Sequence, residues 1–171
     1  MAGGANSGVL RAALIAWKEQ GRFGLTVPLA HLLAAATGQL LEPGRSAVMV
    51  PVPTSRRSRR ARGADVIDEL ARAAARLLRG VGVDIRVDQA LTYARSTYDQ
   101  AGLDAEHRAA NLEGAFRLRT AGALAGRVVV VVDDILTTGA TVTEAVRVLD
   151  GAGHRPIGIA VVAATPRRGK D

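Results

Sequence analysis

Val128 to Val132 is an unbroken run of five valines. Such a run suits a strand buried on both faces, as in a parallel sheet. Asp133 and Asp134 end it, followed by a short hydroxyl-rich stretch, Thr137 to Thr141. A helix is expected at once, with Thr141-x-x-Glu144 as a capping box and Val142, Ala145, Val146 and Leu149 as its apolar stripe. Upstream, Val9, Leu10, Ala13, Leu14 and Trp17 fall on one helical face between a Ser7 cap and Gly21. Val27 to Leu41 predicts a second helix, with Leu29, Leu32, Leu33 and Ala36 inward, until Glu42-Pro43-Gly44 breaks it. Ala47 to Val50 reads as a short strand ending at Pro51-Val52-Pro53. Ala64 to Arg79 is an amphipathic helix with an Asp68–Arg72 pair at i,i+4.

Ile85, Val87 and Leu91 suggest a further strand. Phe116 and Leu118 return to the sheet, and Ile157 to Val162 forms the last strand, its alternation broken by Gly158. Strands alternating with helices predict an α/β fold, a mostly parallel central sheet flanked by helices. At 171 residues the chain is expected to form a single domain, 1–171. Residues 1–7 and 166–171 read as flexible tails. Tyr93 to Glu113 is polar with little apolar periodicity, and residues 90–119 are expected to form a flexible loop or hood over the sheet.

Composition narrows the classes. Without cysteine there are no disulfides and no thiolate zinc site, which fits a cytoplasmic protein. No apolar run is long enough to span a bilayer. The formal charge is +7 and almost all of the base is arginine; only Lys18 and Lys170 are lysines. Arginine suits a bidentate grip on phosphate, so the excess fits a polyanionic small molecule, a nucleic acid, or both. Scarce aromatics weaken a base-stacking role.

The acids at the end of the valine run sit at the strand's C-terminal edge, where open α/β sheets bind ligands. Unpaired N–H groups at the following helix start, with the hydroxyls of Thr137, Thr138 and Thr141, form a pocket for an anion. Carboxylates beside an anion pocket suit a ribose 5-phosphate. Neither a Walker A loop nor a Rossmann fingerprint is present. A basic loop, Thr54-Ser55-Arg56-Arg57-Ser58-Arg59-Arg60-Ala61-Arg62, follows the strand at Ala47. It reads either as a solvated charge run or as a pyrophosphate loop. Lys18 and Arg22 are most simply solvated, although basic residues there could face a ligand. His31 reads as a surface or partly buried side chain. No general base stands out among Asp99, Glu106 and His107.

The stretch Val128 to Thr141 resembles the phosphoribosyl pyrophosphate (PRPP) motif of type I phosphoribosyltransferases. Arg95-x-Thr97-x-x-Gln100-x-x-Leu103, Arg108-x-x-Asn111, Gly114-Ala115-Phe116, Val50-Pro51-Val52-Pro53 and Arg62-Gly63 resemble the ComF family, competence-associated phosphoribosyltransferase-like proteins, as does the early Lys18. The resemblance covers about residues 9 to 165. It implies that Asp133 and Asp134 hold the ribose hydroxyls and that Thr137, Thr138, Gly139, Ala140 and Thr141 clamp the 5-phosphate. It implies that Thr54, Ser55 and Arg56 hold the pyrophosphate, largely by backbone N–H. Arg95 and Arg108 would offset departing charge, and Gln100 and Asn111 would hydrogen-bond a substrate. The implied cofactor is Mg²⁺, bound through PRPP oxygens and water near Asp133 and Asp134 rather than in a dedicated protein cage. Phosphoribosyl transfer to an unidentified acceptor, with release of pyrophosphate, is the implied reaction. The alternative is a non-catalytic module binding PRPP or single-stranded DNA during DNA uptake. Related folds often form homodimers. Two departures stand out. The four-cysteine zinc module of many members has no counterpart here. Asp65 stands where the family carries an amide.

Overall fold

In the computed structural model the described residues are 1–55, 58–60, 63, 65–94, 112–119, 122 and 124–165. Strands β1 (Ala2–Ala5), β2 (Ala47–Pro51), β3 (Ile85–Val87), β6 (Val128–Leu136) and β7 (Pro156–Ala164) form one sheet in the order β1-β7-β6-β2-β3. Each neighbouring pair runs parallel. β4 (Leu91–Tyr93) and β5 (Phe116–Leu118) form a separate antiparallel pair. The helices are α1 (Gly8–Glu19), α2 (Thr26–Gly38), α3 (Val66–Gly80) and α4 (Ala140–Gly151), with a 3₁₀ turn at Phe23–Leu25. Among the described residues no helix is long and apolar enough to cross a membrane.

β6 is the central strand, and Val129 to Val132 are buried, as are Val48, Met49 and Val50 of β2 beside it. This is why the valine run carries no polar alternation: both of its faces meet protein. From β2 the chain passes through α3 to β3 at one edge; from β6 it passes through α4 to β7 in the opposite direction. With right-handed crossovers those two helices cover opposite faces. The loops leaving β2 and β6 therefore part, and a crevice opens between their C-terminal ends, the topological switch point of the sheet. Strand lengths deepen it. β2 stops opposite Val132, whereas β7 follows β6 out to Leu136.

Several local expectations are corrected. Residues 2–5 are an edge strand on β7, not a flexible tail. Ala-Gly-Gly-Ala has no β-branched residue to announce a strand, yet only glycine fits at position 3. A Cβ there would meet Leu32 Cβ at 2.8 Å and the Val162 carbonyl at 3.0 Å. Val9 lies outside the core at 86% exposure, while Leu14 and Trp17 are buried. α2 ends at Gly38, short of Leu41. Ile85 and Val87 belong to the main sheet and Leu91 to the second one. Gly158 breaks the alternation of β7 because a Cβ there would meet Leu40 Cδ2 at 2.9 Å. Beside it, Val129 pairs with Pro156 and Val130 with Gly158, leaving Ile157 as the extra residue of a bulge.

Candidate functional site

The acid pair stands at the crevice, but β6 does not end at it: the strand runs on through Leu136. Successive strand residues leave the strand on opposite sides, yet the two carboxyls stay in hydrogen-bonding contact with each other. Both are buried, Asp133 at 8% exposure and Asp134 at 2%. Asp134 reaches the α1 side, where Lys18 Nζ lies 2.5 Å from its Oδ2. Asp133 lies close enough to Tyr93 of β4 for its charge to disfavour ionisation of the phenol. The backbone beyond the end of β2 is satisfied by these side chains. The Asp134 N–H donates to Asp133 Oδ1 at 2.8 Å, and the Ile135 N–H donates to Asp134 Oδ1 at 2.9 Å.

Burial pushes the Asp133 carboxyl well above the usual carboxylate range, and the adjacent Asp134 charge adds to this; the Lys18 ammonium opposes both. Tyr93 is raised as well, by burial first and by Asp133 second. Its ring stands edge-on to Phe116 at 5.0 Å. Lys18, expected to be solvated, is the residue that sequence reasoning underrated. Its signal was its place between the core residue Trp17 and the helix-ending Gly21, whose φ is +68°. That position holds its stem to the protein.

The hydroxyl loop is open to solvent. Thr137 and Thr138 are exposed, and Gly139, Ala140 and Thr141 are partly exposed. Gly139 caps α4 with φ 86°, a left-handed conformation that costs other L-residues about 1–2 kcal/mol. Thr138 Oγ1 accepts the Ala140 N–H at 3.4 Å. The capping box is overturned. Thr141 already lies inside α4, and the Thr143 N–H goes back to the Gly139 carbonyl at 2.9 Å. Glu144 instead points into the protein at 4% exposure. It accepts the Phe116 N–H at 3.4 Å and grips Arg147 through Nε at 2.7 Å and a terminal nitrogen at 2.8 Å. Those bonds, Arg147's foremost, hold its pKa below the ordinary value.

Across the crevice, Thr54 and Ser55 spend their hydroxyls internally. Thr54 Oγ1 donates to Asp65 Oδ1 at 2.8 Å; Ser55 Oγ donates to Ser58 Oγ at 2.9 Å and accepts the Ser58 N–H at 3.1 Å. What Thr54 and Ser55 can offer an anion is therefore chiefly backbone. Asp65 is the N-cap of α3, accepting the Asp68 N–H at 3.4 Å, and it ties the loop to that helix. The expected contacts of Arg56, Arg95, Gln100, Arg108 and Asn111 lie outside the described residues. A cleft lined by Pro51, Thr54, Arg59, Asp65, Gln89 and Tyr93, among others, adjoins the crevice. The acid pair and the Thr loop lie outside its walls.

Fold and site together define a doubly wound α/β protein with paired acids and an anion-ready helix start at its switch point. The chain belongs to the phosphoribosyl transferase domain family, whose model matches residues 62–171. It is similar to the DNA utilization protein YhgH of Escherichia coli O157:H7 and of Escherichia coli strain K12. Both are 44% identical over 61 residues, 36% of this chain and 26% of the relative. The match thus spans about a quarter of those curated relatives. Among solved structures it is similar to a hypoxanthine phosphoribosyltransferase from Staphylococcus aureus, at 13% identity and TM-score 0.43, covering 85% of this chain and 66% of that one. The Trypanosoma cruzi hypoxanthine phosphoribosyltransferase follows at 18% identity and TM-score 0.42, covering 85% and 67%.

Proposed function

We propose that the protein binds PRPP in the crevice between β2 and β6 and transfers its phosphoribosyl group to an acceptor, releasing pyrophosphate. One observation carries this reading. In a chain of the phosphoribosyl transferase domain family, an acid pair and an open hydroxyl loop starting a helix lie together at the switch point of the sheet. The 5-phosphate sits on the N-terminus of α4, with Thr137, Thr138 and Thr141 around it. Asp133 and Asp134 order the ribose hydroxyls. The backbone of the 54–56 loop takes the pyrophosphate. The acceptor's lone pair forms the new bond to C1 of the ribose as the C1–oxygen bond breaks, and pyrophosphate leaves with that electron pair. Arg56, Arg95 and Arg108 are assigned to the departing charge, and Gln100 and Asn111 to substrate hydrogen bonds.

The donor set bears on the metal. Among the described residues no group of three His, Cys, Asp or Glu side chains could hold an ion. Asp134 already faces a cation, Lys18. On this reading Mg²⁺ would arrive on substrate oxygens, with Asp133 and Asp134 nearby. Bound that way, Mg²⁺ would supply charge neutralisation at the pyrophosphate.

A second reading, a ComF-like module that binds PRPP or single-stranded DNA in DNA uptake without turnover, is favoured by the likeness to YhgH and by the +7 charge. Calorimetry with PRPP and Mg²⁺ tests the shared part. Wild type should bind, and Asp133→Asn with Asp134→Asn should abolish binding; unchanged affinity in the double mutant rejects the site. Pyrophosphate release, screened against nucleobases and amines, separates the two readings. Tight binding with no release under any acceptor favours the module. DNA binding through several arginines should fall steeply as salt rises.

A further inference from the structure

We propose that Lys18 is the resident counter-cation of the acid pair and a positioning residue for the sugar phosphate, acting through Asp134. The inference rests on the PRPP reading of the crevice and adds to it a residue from outside the family-matched segment 62–171.

The geometry is built and not incidental. Lys18 Nζ lies 2.5 Å from Asp134 Oδ2, with the Asp134 side chain 3% exposed and that of Lys18 32% exposed. A carboxylate this deeply buried keeps its charge at least cost with a charged partner beside it. The Lys18 stem is anchored from both sides in sequence. Trp17 is buried and donates Nε1–H to Thr26 Oγ1 at 3.0 Å, tying α1 to the start of α2. Gly21 ends α1 in the left-handed conformation. The bond network then passes the constraint along. Lys18 engages Asp134 Oδ2, and the backbone N–H of Asp134 holds Asp133 Oδ1 at 2.8 Å. Lys18 thus fixes the residue whose amide orients the other acid.

The electrostatic consequence follows from charge counting. Without Lys18 the acid pair has no cation of its own against a ligand that is itself polyanionic. With Lys18 in place, one negative charge of the pair is cancelled inside the protein. A single unit charge a few ångströms from a phosphate, at an effective dielectric of about 20, changes affinity by about tenfold or more. The opposite role is a plug that the ligand must displace. It would make removal of Lys18 tighten binding, so the sign of the effect separates the two.

The test is calorimetry with PRPP at fixed Mg²⁺ on wild type, Lys18→Met and Lys18→Arg, alongside thermal unfolding of these and of Lys18→Met with Asp134→Asn. Lys18→Met should bind PRPP about tenfold more weakly or worse, and Lys18→Arg should stay within about threefold of wild type. Unfolding should show a loss for Lys18→Met that Asp134→Asn repairs, because the repair removes the stranded buried charge. Lys18→Met binding PRPP as tightly as wild type, or more tightly, overturns the proposal. Wild type failing to bind millimolar PRPP instead overturns the parent reading. Lys18 is then judged by unfolding alone, where a repaired loss keeps it as the counter-cation and no loss rejects it.

Discussion

Glu144→Ala probes how α4 holds β5. Glu144 is 4% exposed and makes two kinds of bond. Its ion pair with Arg147 is bidentate, at 2.7 and 2.8 Å. The Arg147 side chain is 58% exposed, so solvent screens that pair to about 0.2–1 kcal/mol. The bond from the Phe116 N–H is long at 3.4 Å, but the amide is buried. Leaving such a donor unmet costs about 1–3 kcal/mol, and the length argues for the lower half of that range. The sum is about 2 kcal/mol. For a chain of this size each kcal/mol moves Tm by about 2–4 °C, so a fall of about 4–8 °C is expected in a calorimetric melt at neutral pH. The pH dependence has a fixed sign. The folded pKa of Glu144 is lowered, with the Arg147 hydrogen bond as the main cause. Its contribution is therefore full above the ordinary glutamate value of about 4.3 and is lost as pH falls through the lower folded value. The gap between wild type and Glu144→Gln should shrink in acid. A melt of Glu144→Ala within about 1 °C of wild type, or a Glu144→Gln gap that holds constant into acid, refutes this account of the contact.

Asp133→Asn alone should raise Tm at neutral pH while weakening PRPP binding. Burial raises the Asp133 pKa in the fold, so its stabilising balance is full only below the unfolded carboxylate value and is lost as pH rises through the folded one. The gain should vanish in acid, and a lower neutral Tm would contradict it. Asp65→Ala removes the α3 cap and the Thr54 tie; urea unfolding should show a loss of about 0.5–2 kcal/mol. Gly139→Ala places a side chain at φ 86° and should cost about 1–2 kcal/mol in the same assay, with weaker PRPP binding by calorimetry. Gly3→Ala should destabilise β1, because its Cβ would meet Leu32 and the Val162 carbonyl. Faster amide exchange in residues 2–5 is the measurement.

Much of the architecture was present in the order of residues. Five β-branched residues in a row suit a strand buried on both faces, and the alternation of strands with helices pointed to the fold class. The stripes of α1 and α3 and the Thr-Gly-Ala-Thr loop were equally legible, because helix period and turn chemistry are local properties. What the tertiary structure decided is everything set by a partner far along the chain. Residues 2–5 became a strand because β7 presents an edge that only small residues can approach. Glu144 turned from a cap into an anchor because the Phe116 amide needed an acceptor inside the protein. The two acids, adjacent in sequence, leave β6 on opposite sides of the pleat, and tertiary packing turns their carboxyls together. Only three-dimensional packing could bring Lys18, more than a hundred residues away, to one of them. A buried charge takes the counter-charge that packing delivers, and sequence distance carries no information about which one that is.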